Sequence, residues 1–139
     1  MLLSAARTQP HSAADVRRVV AMAAAMDLKT AGYTYFDPDT RMVDFNAMMA
    51  DLDGMKAGDI LLLHGCCHNP TGANLDAAQW TALTDFVLAT NITPFVDIAY
   101  QGFGDGIEED AAGLRALCRP GQELLVASSF SKNFGLYQE

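Results

Sequence analysis

Short, continuously apolar runs alternate along the chain with stretches in which apolar residues recur at helical spacing. Three such runs, 60–63, 94–96 and 124–127, predict strands. Continuous apolar runs are typical of strands that are buried on both faces, as in parallel sheets. An aromatic and β-branched stretch, 33–36, predicts a further short strand.

Helical periodicity separates these runs. It predicts helices over 11–28, 45–52, 76–90 and 108–117, the second of them capped by Asp44. The resulting order of strand, helix, strand, helix, strand predicts right-handed crossovers. We therefore expect an α/β fold with a mostly parallel sheet flanked by helices.

Composition and charge exclude several classes of function. The chain has 139 residues, half of them hydrophobic, which suits one packed domain. A net charge of −8 argues against nucleic-acid and membrane-surface binding, and no apolar run approaches the ~20 residues that span a bilayer. Three cysteines, two of them adjacent, form no disulfide framework, and the start lacks a secretory pattern, so we expect a cytoplasmic protein.

Polar residues with distinctive chemistry follow the three predicted core strands. Asn69 follows the first, Asp97 and Tyr100 the second, and Lys132 the third. Ligands of α/β sheets bind near the carboxyl ends of strands. A lysine for a Schiff base and an acid for a ring nitrogen are what pyridoxal 5′-phosphate (PLP) requires, so the pattern predicts a PLP site.

Each of these residues also has an ordinary interpretation. Lys132 could be a surface lysine, Asp97 could cap a helix or accept from a backbone amide, and Tyr100 could be a core phenol. Asn69 precedes a proline, as in many turns. Ser129 and Ser131 could cap a turn or bind a phosphate.

The cluster from His64 to His68, with cysteines at 66 and 67, raises the question of a metal. Adjacent cysteines do not easily reach one tetrahedral ion, and the sequence offers only the distant Cys118 as a further thiol. We expect no metal site and interpret the cysteines as small side chains at a buried strand end.

Three motifs in order carry a family resemblance: 64–72 (HGCCHNPTG), 97–103 (DIAYQGF) and 127–137 (ASSFSKNFGLY). From about residue 32 to 139 the chain resembles the central part of the large domain of aspartate and aromatic amino acid aminotransferases, which are fold-type I PLP enzymes. The resemblance implies one partial PLP-binding domain over 1–139, in which 1–30 is a helical segment that matches poorly.

The resemblance also implies roles for individual residues. Lys132 would form the Schiff base and move a proton, and Asp97 would pair with the ring nitrogen. Asn69 and Tyr100 would bind the ring oxygen. Ser129 would help to hold the phosphate, which the residues themselves also allow for Ser131. From behind the ring, His68 would support the aspartate.

The implied reaction transfers an amino group between aspartate or an aromatic amino acid and a 2-oxo acid, in an enzyme that is a homodimer at full length. Family motifs for a glycine-rich phosphate segment and for substrate-binding arginines are not found here, so we expect a fragment or truncated relative. Two alternatives stay open: an inactive remnant that serves as a structural or interaction module, and another PLP reaction such as decarboxylation or elimination.

Overall fold

The structure is a computed structural model that describes residues 2–5, 23 and 25–135. Seven strands are found in this part of the chain: β1 Leu2–Ala5, β2 Thr30–Tyr33, β3 Phe36–Asp37, β4 Met42–Val43, β5 Ile60–His64, β6 Thr93–Ile98 and β7 Leu125–Ser128. Its fully described helices are α1 Phe45–Leu52, α2 Ala77–Thr90, α3 Ala112–Leu117 and α4 Ser131–Phe134. The helix predicted over 11–28 lies almost entirely outside the described residues.

Five of the strands form one parallel sheet in the order β2-β1-β5-β6-β7. The expected α/β fold, a parallel sheet with helices against it, is confirmed. Strands β5, β6 and β7 are the three predicted from apolar runs, and each is joined to the next through a helix. β3 and β4 form a separate antiparallel hairpin.

The aromatic stretch 33–36 does not form one strand. Tyr33 ends β2, Phe36 begins β3, and the two residues between them are irregular. Both tyrosines of the stretch are buried, and their hydroxyls donate to backbone carbonyls, Tyr33 to Leu62 and Tyr35 to Ala73, at 2.8 Å each. Burial of these two phenols, each with a distant partner, bends the backbone away from a continuous strand.

The core lies on one face of the sheet. Leu61 and Leu63 of β5 and Val96 of β6 are at most 1% exposed and belong to one hydrophobic cluster with residues of the first three helices. Side chains alternate across a strand. The intervening positions of β5 and β6 are half-buried and face the other side, and His64 and Asp97 are among them.

Helix α2 begins as the sequence predicts. Asp76 accepts from the Gln79 backbone N–H, and the Gln79 side chain accepts from the Asp76 N–H, which is a complete capping box. Asn91 ends the helix in a left-handed conformation with φ of 53°.

Helix α3 is shorter than predicted, because residues 108–111 form turns and the helix begins at Ala112. Asp110, expected in the first helical turn, is instead buried and accepts backbone N–H bonds from Gly102, Gly104 and Asp105. Its carboxylate stabilises the preceding loop, and the helix cannot extend toward residue 108.

Candidate functional site

The loops that follow β5, β6 and β7 leave the sheet at the same edge. Because the strands are parallel and in register, His64 pairs with Asp97, and Asp97 pairs with Ala127. Asp97 is the second-last residue of β6 and is half-buried, on the face opposite the core. The sheet therefore brings the predicted carboxylate, and the loops with the predicted tyrosine and lysine, to one edge.

Lys132 lies next to Tyr100. Its Nζ is 4.4 Å from the centroid of the Tyr100 ring, within range of a cation–π interaction. Lys132 is the second residue of α4, so the strand-to-helix turn after β7 directs its amine toward the loop after β6. Its side chain is half-buried.

Further contacts hold the two loops together. Asn133 donates from Nδ2 to the Gln101 carbonyl oxygen at 2.9 Å, which fixes α4 against the loop after β6. Tyr100 also contacts Phe103 edge to face, with ring centroids 6.3 Å apart. Asn133 therefore fixes the helix that carries Lys132, and Phe103 packs against the Tyr100 ring that Lys132 contacts.

His64 is the histidine nearest in register to Asp97, and sequence reasoning gave it no role. Burial lowers the pKa of His64, and the negative charge of Asp97 partly opposes that shift. The signal available in the sequence was its place as the last residue of the first core strand, level with Asp97 of the second.

His68 lies in the loop after β5 and is only 2% exposed. Its Nδ1 is 2.7 Å from the Thr71 hydroxyl oxygen. Its ring stacks on the Tyr35 ring with centroids 4.2 Å apart, and its centroid is 4.5 Å from that of the His64 ring. Burial, followed by the charge of His64, lowers its pKa to about 4. Its Nε2 is buried without a hydrogen-bond partner among the described residues.

The remaining predicted residues, Asn69, Ser129 and Ser131, lie in the segments that follow β5 and β7. Asn69 is exposed and is joined to Pro70 by a cis peptide bond. Ser129 and Ser131 hydroxyls are 3.1 Å apart, and the Ser131 backbone N–H donates to the Ser129 hydroxyl. Ser129 also lines a cavity of about 300 Å³ between the loops that follow β6 and β7.

These residues share one edge, yet within 25–135 no hydrogen bond joins Lys132, Asp97 or Asn69 to one another. Each therefore keeps polar atoms that can bind a ligand placed between them. A parallel α/β sheet with an amine, a carboxylate, a phenol and hydroxyls at its carboxyl edge defines an α/β domain of the class that binds ligands at strand ends. The chain belongs to the family of class I and II aminotransferases, whose family model matches residues 19–139.

Individual relatives agree with this assignment and confirm the resemblance seen in the motifs. The chain is 55% identical over 114 residues to the aromatic-amino-acid aminotransferase of Paracoccus denitrificans, a match that covers 82% of this chain and 29% of the relative. It is 48% identical over 112 residues to the aspartate aminotransferase of Escherichia coli K12, covering 81% and 28% respectively.

Solved structures show the same relationship. An aromatic-amino-acid aminotransferase from Burkholderia pseudomallei, covalently bound to pyridoxal phosphate, superposes with a TM-score of 0.87 at 39% identity. An aromatic amino acid aminotransferase with 3-indolebutyric acid gives 0.87 at 47% identity. Each match covers 99% of this chain and 33% of the other. The chain thus spans about a third of the length of these proteins.

No helix in the described part of the chain is long and apolar enough to cross a membrane.

Proposed function

We propose that this chain carries the cofactor-binding part of a PLP-dependent aminotransferase that acts on aspartate or an aromatic amino acid and a 2-oxo acid. Family membership and the names of the relatives support the reaction class. The observation that carries the proposal is the Lys132 amine above the Tyr100 ring, on the edge to which β6 brings Asp97.

The donor set fits the cofactor. Lys132 would bind its aldehyde carbon, and Asp97 would face its ring nitrogen. Asn69 and Tyr100 would donate to its ring oxygen. When bound, the cofactor supplies an electron sink that acidifies the bonds of the substrate's α-carbon.

The phosphate would lie against the Ser129 and Ser131 hydroxyls. These two hydroxyls are within hydrogen-bond distance of each other, so they can turn together toward one anion. They flank the turn from β7 to α4, and that turn also carries Lys132. The amine and the phosphate-binding hydroxyls therefore occupy one short segment.

Three residues of this chain would then have separate roles in the reaction. Lys132 would move a proton at the substrate α-carbon, since an amine released from its carbonyl partner can act as base and then as acid. Tyr100 would keep that amine in place through its ring. His64, level with Asp97, would help to keep the aspartate oriented toward the ring nitrogen.

His68 would act on Asp97 only through His64. The His68 ring lies beside His64, and the His64 pKa responds to the charge of Asp97, so a chain of three groups runs from the buried loop to the carboxylate. This refines the support for the aspartate that the resemblance implies, because the direct neighbour in register is His64.

We also propose that residues 1–139 form one partial large domain and that the full-length enzyme is a homodimer. Exposed apolar side chains at this edge, Phe130 at 68% and Phe134 at 72%, support burial against further protein. A cytoplasmic location is supported by the cysteines, since all three are free thiols.

A PLP titration tests cofactor binding. The chain is mixed with PLP, and we expect a visible or near-ultraviolet absorbance band that borohydride abolishes. Lys132→Ala should show no such band. The matched control, Lys56→Ala, removes an exposed lysine far from the carboxyl edge and should keep it. A band of equal size in Lys132→Ala would overturn the assignment of the lysine.

A second measurement separates binding from turnover. Aspartate or an aromatic amino acid is added with 2-oxoglutarate, and formation of the product amino acid is followed. Product formation that depends on Lys132 supports an active aminotransferase. Binding of PLP without product would favour the remnant with no turnover, and release of carbon dioxide or ammonia would favour another PLP reaction.

A further inference from the structure

Two thiols and a carboxylate converge beneath the loop after β6, outside the proposed cofactor set. One ligand atom each from Cys66, Cys67 and Asp110 lie within 4.8 Å of one another. Successive side chains of an extended strand point to opposite faces, which would separate adjacent cysteines. Cys67 instead has a φ of 47°, and this left-handed turn lets both sulfurs face the same carboxylate.

Asp110 supplies a fixed negative charge at this place. It is 7% exposed and accepts backbone N–H bonds of 2.8 to 3.0 Å from Gly102, Gly104 and Asp105. Burial raises its pKa, but these hydrogen bonds outweigh burial and hold the pKa below its usual range.

An acidic cleft leads to the cluster. A cavity of about 240 Å³ is lined by Cys66 and Asp110 and by three further acidic residues, Asp76, Asp105 and Glu109. None of the described residues that line it is a lysine or an arginine. Four carboxylates around one cleft attract cations and raise their local concentration.

We propose that Cys66, Cys67 and Asp110 form a binding site for a thiophilic divalent cation such as Zn²⁺. Two thiolates and one carboxylate would supply three ligands, and water would supply the fourth. Sulfur ligands lie ~2.3 Å from zinc, and tetrahedral neighbours are then ~3.8 Å apart, so the three atoms need to approach by at most ~1 Å. The sequence alone pointed away from a metal because nothing in it places Asp110 beside the cysteines.

Binding requires the loss of two protons and no transfer of electrons. Each S–H bond is replaced by a sulfur–metal bond, and both protons pass to solvent. The ion binds thiolates, so protons compete with it for both sulfur atoms. The affinity for the ion should therefore increase as the pH rises.

An ion here would also restrain the cofactor edge. The Cys67 sulfur lies 3.9 Å from the carbonyl oxygen of Tyr100, and Asp110 holds the loop from 102 to 105 that follows it. Coordination would tie the loops after β5 and β6 to one another. The metal would thus stabilise the segment against which Lys132 rests.

Cobalt titration of the chain without PLP tests the site. Co²⁺ bound by thiolates gives a near-ultraviolet sulfur-to-metal charge-transfer band, and we expect one ion per chain, displaced by Zn²⁺. Cys67→Ala should lose the band and weaken Zn²⁺ binding at least ~100-fold. The matched control, Cys118→Ala, removes the exposed thiol and should bind like the wild type.

Thiol labelling of the wild-type chain gives an independent result if the variant fails to fold. Zn²⁺ should slow the reaction of Cys67 with a maleimide and leave Cys118 unchanged, as mass spectrometry of the labelled peptides can show. Absence of a charge-transfer band, equal binding by Cys67→Ala, or no protection of Cys67 would overturn the site. None of these measurements involves PLP, so their failure leaves the proposed function untouched.

Discussion

His68 shows how one buried ring can make stability depend on pH. The imidazole stacks on Tyr35 and contacts His64, and its pKa is lowered from 6.5 to about 4. Between these two pH values, His68 is protonated in the unfolded chain and neutral in the folded chain. The contribution of His68 to stability is therefore complete above about pH 6.5 and declines as the pH falls toward 4.

We predict that His68→Gln, which cannot titrate, weakens this dependence. Urea unfolding at about pH 7.5 and about pH 5 should show a loss of stability on acidification that is smaller than in the wild type, by on the order of 2 kcal/mol. Some dependence should remain, since burial also lowers the pKa of His64. An identical loss in both proteins would mean that His68 is not the group that titrates.

The positions of single residues at the ends of strands could be predicted most directly from the sequence. Lys132, Asp97 and Tyr100 could be placed at one edge because parallel strands end together. His64 and Asp110 could not, since their importance depends on a register match and on a loop conformation. Neither interaction leaves a local pattern in the sequence.

At the level of elements, α2 and α3 meet through an unusually close contact. Gly113 lies in α3 and is buried against the ring of Trp80 in α2. A β-carbon at Gly113 would overlap the ring of Trp80, which is packed in the hydrophobic core. The glycine therefore sets how closely the two helices approach.

We predict that Gly113→Ala destabilises the chain by about 1 to 3 kcal/mol, although alanine favours helix formation. The clash with Trp80 should outweigh the gain in helix propensity, and thermal unfolding with tryptophan fluorescence can measure it. The matched control is Gly54→Ala, where an added β-carbon meets nothing within 4 Å. Equal stabilities of the two variants would show that α3 shifts freely.

Elements themselves were predictable where periodicity was strong. α1 begins after the predicted cap, Asp44, and α2 begins one residue after its predicted start, because Asp76 caps it. In both helices a side-chain acceptor satisfies a free backbone N–H. α3 was predicted to begin four residues early, since acidic residues favour a helix start and Asp110 has another partner. Local propensity cannot report a competing tertiary hydrogen bond.

At the scale of the whole molecule, β7 is the outer strand of the described sheet. Leu125 is 46% exposed and Val126 47% exposed, so both faces of this strand present apolar side chains. Unpaired edge strands with apolar faces promote association. Phe130 and Phe134, which flank and end α4, are exposed as well.

We predict that Val126→Lys reduces self-association of the chain, because a charged side chain on an edge strand opposes edge-to-edge pairing. Sedimentation velocity over a range of concentrations should show a higher fraction of monomer than in the wild type. Met42→Lys replaces a side chain that is 63% exposed on the β3–β4 hairpin, and it should leave association unchanged. If both lysines act alike, net charge rather than the β7 edge is responsible.

The position of β1 in the sheet bears on how the chain is made. Leu2–Ala5 lies between β2 and β5, so its two neighbours come from residues 30–33 and 60–61. During synthesis, β1 must wait for more than fifty further residues before its second neighbour exists. Vectorial folding from the amino end therefore cannot close this sheet, which forms only when distant parts of the chain meet.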